Sequence, residues 1–325
     1  MSDELRITPE QFFGSATALS TAHRIGLTHV LSTAPASAAA LARRLDLAER
    51  PLQLVLELMV SFDLAIEQGS LYAAGPALLR LQNSIPGGLL KDAQLWAHLP
   101  QWLTDDEPLT GIDCGSLQRE PLYVGIVGEL GRAFTSAARA LAPRLRRVGH
   151  EVLDVGCGSG VWSLALAEHD PNVHVTGLDF EAVLAVFTER ARALGLDNRI
   201  ATLTGDAHEL SVVPGSYDTV LFANVLRLEP AERAKALLRR WAQALRPGGA
   251  MVIIDALAAG TPAAERARTL YALHLALRSA RATVHTPGAI LRFIDEAGLK
   301  EPETIDLSDV SELGALGAIV ARRRA

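Results

Sequence analysis

A glycine-rich loop that follows a short apolar stretch is the part of this sequence best suited to bind a ligand. The stretch 151–155, EVLDV, predicts a buried strand, and a helical pattern begins at residue 161. The glycines between them have the spacing G-x-G-x-G and are Gly156, Gly158 and Gly160. Glycine lets a ligand approach the backbone closely, and Asp154 stands at the strand end, where open α/β sheets bind ligands. The dinucleotide fingerprint would need glycine in place of Val161, so the loop predicts a nucleoside-like ligand without a pyrophosphate.

Two further acidic residues follow predicted strands. Asp179 ends the stretch 173–178, about twenty residues after the glycine loop, where an acid can accept hydrogen bonds from ribose hydroxyls. Asp206 follows a third predicted strand at 200–204. A fourth strand is predicted at 217–222, a helix at 231–245 and a fifth strand at 251–255. This alternation of strands and helices predicts an α/β fold with a parallel sheet.

Four short motifs in this order resemble the signatures of class I S-adenosylmethionine-dependent methyltransferases. They are DVGCGSG, GLD, GDA and ALRPGGAMVIID. The resemblance implies a Rossmann-like, seven-stranded class I sheet whose last strand, at 316–321, is antiparallel to the others. It also implies that the cofactor is S-adenosyl-L-methionine.

The same resemblance assigns cofactor contacts to positions of this chain. The glycine loop would face the amino-acid end of the cofactor, with Asp154 near its ammonium group. Asp179 would accept from the ribose hydroxyls. Asp206 would accept from the adenine amino group, although it also fits a simple turn acid. The full set of predicted cofactor contacts is Asp154, Gly156, Gly158, Gly160, Asp179, Phe180, Asp206, Ala207 and Asn224.

Length and composition restrict the class of protein. At 325 residues, of which 49% are hydrophobic, the chain can form two domains with a large core. Its apolar stretches are shorter than the ~20 residues that span a membrane, and its polar start does not resemble a signal segment. The two cysteines, Cys114 and Cys157, cannot form a disulfide framework or a metal cluster, and the net charge of −6 argues against nucleic acid. We therefore expect a cytoplasmic protein with no metal, membrane or nucleic-acid partner.

The N-terminal third predicts helices followed by a hairpin. Helices are predicted at 10–34, 38–45 and 50–62, and the stretch 64–75 alternates as a hairpin does. This order is typical of a winged helix, which in a regulator would bind DNA. The candidate recognition helix, 52–62, has no Lys or Arg, so a packing role is favoured over DNA binding.

A winged-helix module before a class I domain resembles the small-molecule O-methyltransferase family of plants and of bacterial natural-product pathways. The resemblance implies a mostly helical dimerisation domain at 1–100, connecting helices at 101–148 and a catalytic domain at 149–325. It implies a homodimer formed through the first of these. The implied function is methyl transfer to a small aromatic natural product, with oxygen, nitrogen and carbon all open as the acceptor. Trp96 is a candidate substrate contact.

An arginine occupies the position of this family's general base. Members that methylate oxygen carry V-L-H-D-W, and the corresponding residues here are Val225-Leu226-Arg227-Leu228-Glu229. A guanidinium has a pKa above about 12 and cannot serve as a base. The family's usual deprotonation of the substrate hydroxyl therefore does not carry over to this chain.

Three explanations stay open. The base is another residue, with His285, His274 and Asp255 as candidates, although Asp255 can instead pair with Arg227. Alternatively, the acceptor is already nucleophilic, and Arg227 stabilises a phenolate by its charge. In the third explanation the chain retains the cofactor but catalyses a hydroxylation, decarboxylation or pericyclic reaction. The remaining substrate-contact candidates on the predicted helix 266–279 are His274 and Tyr271.

Overall fold

A computed structural model describes residues 9–84, 94–109, 116–145, 148–258, 260–310 and 314–324. Cys114 lies outside these ranges. The chain divides into two compact units, residues 1–97 and 98–325. The segment 101–148, which the sequence separates as connecting helices, falls within the second unit. None of the helices in the described ranges is both long and apolar enough to cross a lipid bilayer.

The first unit is built from helices and one hairpin. Its elements are α1 Pro9–Arg24, α2 Leu27–Thr33, α3 Ala38–Leu45, α4 Glu49–Ser61, β1 Ala65–Gln68, β2 Leu71–Ala74 and α5 Pro76–Ser84. The predicted single helix at 10–34 is wrong, because Gly26 adopts a left-handed backbone with φ 82° and separates α1 from α2. Ser37 caps α3 by accepting from the Ala40 amide. The unit has its own core, which includes Leu41, Leu56 and Tyr72.

The second unit contains a seven-stranded sheet in the order β5-β4-β3-β6-β7-β9-β8. The strands are β3 Glu151–Val155, β4 His174–Asp179, β5 Ile200–Thr204, β6 Tyr217–Ala223, β7 Leu245–Asp255, β8 Leu299–Asp306 and β9 Gly317–Arg323. Strands β3 to β7 are parallel, and β9 runs antiparallel to both of its neighbours. The predicted fold class and the antiparallel last strand are confirmed. Strand β7 begins earlier than predicted, because the segment 246–249 forms a bulge in its pairing with β6.

The second unit also contains seven α-helices within its described residues. They are α6 Leu99–Asp105, α7 Ser116–Leu141, α8 Val161–His169, α9 Glu181–Ala193, α10 Ala231–Ala242, α11 Pro262–Ala276 and α12 Pro287–Glu296. One core cluster contains Trp162 and Phe187, and the other contains Phe222 and Trp241. Parallel strands covered on both faces need nearly continuous apolar runs, as in MVII before Asp255.

The order of the strands places a crevice above the middle of the sheet. From β3 the chain builds outward through β4 and β5, and then returns to β6 on the other side of β3. Ligands of open α/β sheets bind at such a reversal, outside the carboxyl ends of the strands. The glycine loop leaves β3 at this edge, and Asn224 directly follows β6 there.

Candidate active site

The three loop glycines are required for different reasons. A Cβ on Gly156 would lie 2.7 Å from Val225 Cγ2, and one on Gly160 would lie 2.4 Å from Phe187 Cδ2. A Cβ on Gly158 would meet, among the described residues, only Val127 Cγ1 at 3.7 Å. Packing against protein therefore accounts for two of the glycines. All three have a left-handed backbone, and Gly158 in addition has room beside it for a ligand.

Asp154 is a buried carboxylate with one oxygen available. The residue is 1% exposed, and its Oδ2 accepts from Ser163 Oγ at 2.6 Å. Its Oδ1 has no hydrogen-bond partner within the described part of the chain. Burial, with a smaller contribution from the charge of Asp179, raises the pKa of Asp154 to about 7 against the lowering effect of the Ser163 hydrogen bond. A buried carboxylate oxygen of this kind suits a cationic donor, such as an ammonium group.

Asp179 fixes the glycine loop to the next strand. Its Oδ2 accepts from the Gly158 amide at 2.9 Å, and its Oδ1 accepts from the Phe180 amide at 2.8 Å. A carboxylate has about four lone-pair positions, so both oxygens can accept further donors. The arrangement is compatible with the predicted ribose contact, which stays a prediction together with the packing of Phe180 on adenine.

Asp206 shapes the turn that follows β5. Its Oδ1 accepts from the His208 amide at 2.8 Å, as expected of a turn acid. The neighbouring Ala207 carbonyl accepts from Trp241 Nε1 at 3.0 Å. These bonds hold the turn at the carboxyl edge of the sheet. The adenine contacts of Asp206 and Ala207 stay predictions.

Arg227 is held among polar groups at the ends of β6 and β7. Its Nη1 donates to Asn224 Oδ1 at 2.7 Å and lies 3.4 Å from Asp255 Oδ1. Its Cζ lies 5.0 Å from the centre of the Tyr271 ring. Burial alone would lower the pKa of Arg227, but Tyr271 and Asp255 outweigh it and raise that pKa. Arg227 therefore stays charged, and the pairing with Asp255 that the sequence left open is present.

The two candidate histidines have partners that restrict their use as bases. His285 Nε2 lies 3.1 Å from the carbonyl oxygens of both Leu226 and Glu229. Because carbonyl oxygens only accept, this nitrogen carries the proton and cannot take one from a substrate. His274 Nε2 lies 3.2 Å from Arg278 Nη2, which can only donate, so that nitrogen is already accepting. The geometry favours a supporting role for His285.

Glu229 is a site residue that the sequence analysis missed. Its Oε2 accepts from Arg233 Nε at 2.6 Å, and its Oε1 lies 3.2 Å from His208 Nε2. Burial would raise the pKa of Glu229, but the bonds with His208 and Arg233 lower it to about 2. Glu229 therefore connects the turn after β5 to the turn that carries Arg227. The i,i+4 spacing of Glu229 and Arg233 in the sequence could have indicated this ion pair.

Ser163, the partner of Asp154, was also missed. A hydroxyl inside the otherwise apolar stretch VWSLALA, on the first turn after the loop, is the signal that points to it. Trp96 belongs to the first unit, and its predicted substrate contact stays a prediction. Cys157 is a free, buried thiol within the loop, and burial raises its pKa.

Residues 152–249, which contain the glycine loop and the edge with Asp179 and Asp206, match the family described as a methyltransferase domain. This segment is therefore similar to methyltransferase domains. A demethylmenaquinone methyltransferase of Listeria welshimeri is 40% identical over 116 residues, which are 34% of this chain and 48% of that protein. An L-tyrosine C(3)-methyltransferase of Streptomyces lavendulae is 34% identical over 107 residues, which are 33% of this chain and 29% of that protein. The match thus spans half or less of these relatives.

The rest of the chain also has a counterpart among solved structures. Human N-acetylserotonin methyltransferase, solved in complex with S-adenosylmethionine, has a TM-score of 0.72 and 18% identity, with 100% of this chain and 99% of that chain covered. At this identity the likeness shows the fold. Together with the match over residues 152–249, it confirms the predicted class I fold.

A substitution of His285 tests whether this residue supports the Arg227 turn. His285→Leu removes the donor to two carbonyl oxygens and should lower the free energy of unfolding by about 1–3 kcal/mol. His285→Gln is the matched control, because its amide nitrogen can donate from a similar position and should retain most of the stability. Urea unfolding of the three proteins gives the comparison. Equal losses in both variants would contradict the supporting role.

Proposed function

We propose that this protein is an S-adenosylmethionine-dependent methyltransferase that acts on a small aromatic natural product. The observation that carries the proposal is the carboxyl edge of the sheet, where Asp179 holds the glycine loop through Gly158 and Asp154 has a buried oxygen without a partner among the described residues. The N-acetylserotonin methyltransferase with the same fold was solved in complex with this cofactor. Asp154 Oδ1, a buried acceptor with no described donor, is the position that fits the cofactor's ammonium group.

The remaining cofactor contacts follow the loop and the two neighbouring strands. The Gly158 backbone would lie against the amino-acid end, and Asp179 would accept from the ribose hydroxyls while still holding the loop. Phe180, Asp206 and Ala207 would surround the adenine. When bound, S-adenosylmethionine supplies an electrophilic methyl group on a sulfonium. The protein's task is then to hold an acceptor in line with that methyl and to keep water away.

The proposed site for the methyl acceptor differs from that of family members in which a histidine base removes the substrate proton. Arg227 stays charged, and the Nε2 atoms of His285 and His274 are engaged by Leu226, Glu229 and Arg278. An aromatic substrate is supported by the S. lavendulae relative, whose name gives L-tyrosine as its substrate. Methylation at oxygen, nitrogen or carbon stays open. The alternative is an enzyme that retains the cofactor without transferring its methyl.

A labelled methyl donor tests the proposed activity. With methyl-labelled S-adenosylmethionine and a panel of phenols, anilines and activated aromatic carbons, the wild type should label at least one compound. Asp179→Ala should weaken S-adenosylhomocysteine binding by about 1.5–3 kcal/mol in calorimetry, since it removes charged hydrogen-bond acceptors. Asp309→Ala, in an exposed loop, is the control. Tight cofactor binding with no labelled product from any acceptor would favour the non-methylating alternative.

The raised pKa of Asp154 predicts a pH dependence of cofactor affinity. The ammonium group favours the ionised carboxylate, whose pKa is about 7 in the free protein. Below pH 7 the carboxyl must lose its proton on binding, so affinity for S-adenosylhomocysteine should fall by up to about tenfold per pH unit. Asp154→Asn should bind more weakly and with a flatter profile between pH 5.5 and 7.5. A wild-type affinity that is constant across this range would contradict the assignment.

The homodimer implied by the family resemblance is part of the proposal. Helix α4 exposes Leu54 and Leu58 (59% and 36% exposed), apolar side chains that a second copy would cover. Light scattering should therefore give about twice the chain mass of 34.7 kDa. Leu54→Asp should shift the protein towards the monomer, whereas Leu103→Asp, on exposed α6, should not. A wild-type monomer at micromolar concentration would overturn the proposed assembly.

A further inference from the structure

The Nε atom of the Arg227 guanidinium is buried without a partner among the described residues. Both hydrogen bonds of this side chain, to Asn224 and Asp255, leave from Nη1. Nε is buried and has no acceptor within the described residues, and the side chain is only 8% exposed. The Nε–Nη2 edge is the planar fork with which arginine binds oxyanions. A cationic edge buried in this way is costly unless a ligand satisfies it.

The position of this edge is fixed from several directions. The Arg227 carbonyl accepts from the Thr283 amide at 2.7 Å, and the short 3-10 turn Leu226–Leu228 carries its backbone. His285 holds the same turn through the carbonyls on either side. The Tyr271 ring lies beside the guanidinium. A charged group held by its supporting residues can stabilise charge without first reorganising.

The charges around this edge favour an anion. Asp255 is the neighbouring carboxylate, and its Oδ1 already accepts from the Ala256 amide at 2.8 Å as well as from Arg227. From the helices, Tyr271 and Tyr123 contribute phenols that act on Arg227, and Arg278 adds a second positive charge that acts on Tyr271. An entering anion therefore meets the Arg227 cation, and the neighbouring Asp255 Oδ1 is already engaged by two donors.

We infer that the Nε–Nη2 edge of Arg227 binds the methyl acceptor as a phenolate, an inference that rests on the proposed methyltransferase function. The phenol loses its proton to solvent before or during binding, so the site needs no general base. An electron pair of the phenolate, on oxygen or on a conjugated ring carbon, forms the bond to the methyl carbon. The carbon–sulfur bond breaks with its electron pair on sulfur, which gives neutral S-adenosylhomocysteine. At a ring carbon, the displaced ring proton leaves to water.

The inference can be tested with 4-nitrophenol, whose phenolate has a visible absorption band that the phenol lacks. Bound to the protein with S-adenosylhomocysteine, 4-nitrophenol should ionise at least about one pH unit lower than in solution, a tenfold change. Arg227→Met should abolish this shift. Arg227→Lys, which keeps the charge without the planar edge, should retain part of it and guards against loss of folding in the first variant. Arg239→Met, on an exposed helix face, is the matched control and should behave as the wild type.

The binding results separate a failure of the phenolate inference from a failure of the proposed methyltransferase function. If the protein binds S-adenosylhomocysteine, but 4-nitrophenol does not bind or ionises as in solution, the phenolate inference fails and the proposed function stands. If 4-nitrobenzoate binds in an Arg227-dependent way while 4-nitrophenol shows no shift, the edge holds a carboxylate instead. Absence of S-adenosylhomocysteine binding overturns both proposals. A shift that persists in Arg227→Met would move the oxyanion site to another cation.

Discussion

A carboxylate buried near the end of β3 is the constraint on which the rest of this structure depends. Ser163 satisfies one oxygen of Asp154, and the other oxygen has no partner within the described residues. Strand β3 lies beside β6 at the reversal of strand order, where the sheet opens. The loop that follows must then turn sharply, and Asp179 fixes it by accepting the Gly158 amide. The end of β3 and the glycine loop are therefore part of both the fold and the candidate cofactor site.

The turn after β5 and the turn that carries Arg227 are connected through Glu229. Glu229 binds His208 beside the turn that would face adenine, and its backbone carbonyl binds His285. The same short turn carries Arg227, which lies next to Asp255 at the end of β7. In the proposed function, binding of adenine beside His208 would therefore act on the same turn that carries Arg227. In the proposed mechanism, the fixed cation of Arg227 takes the place of a proton acceptor.

The sequence predicts local features well and distant contacts poorly. The parallel strands, and the places of Asp154 and Asp179 at the carboxyl ends of two of them, could be predicted because buried strands and glycine turns leave local patterns. The break at Gly26 could not, since an apolar pattern continues across it. His285 appeared as a candidate base because its type suits that role. Its actual partners, Leu226 and Glu229, are more than 50 residues away in sequence, and only the tertiary structure brings them together.

A crystal structure of the protein with S-adenosylhomocysteine and 4-nitrophenol is the most direct test of this arrangement. The amino group of S-adenosylhomocysteine should lie within about 3 Å of Asp154 Oδ1, and the phenol oxygen should lie within about 3 Å of Arg227 Nε or Nη2. A ligand amino group placed away from Asp154, or a phenol oxygen bound to His285 or His274 instead of Arg227, would contradict it.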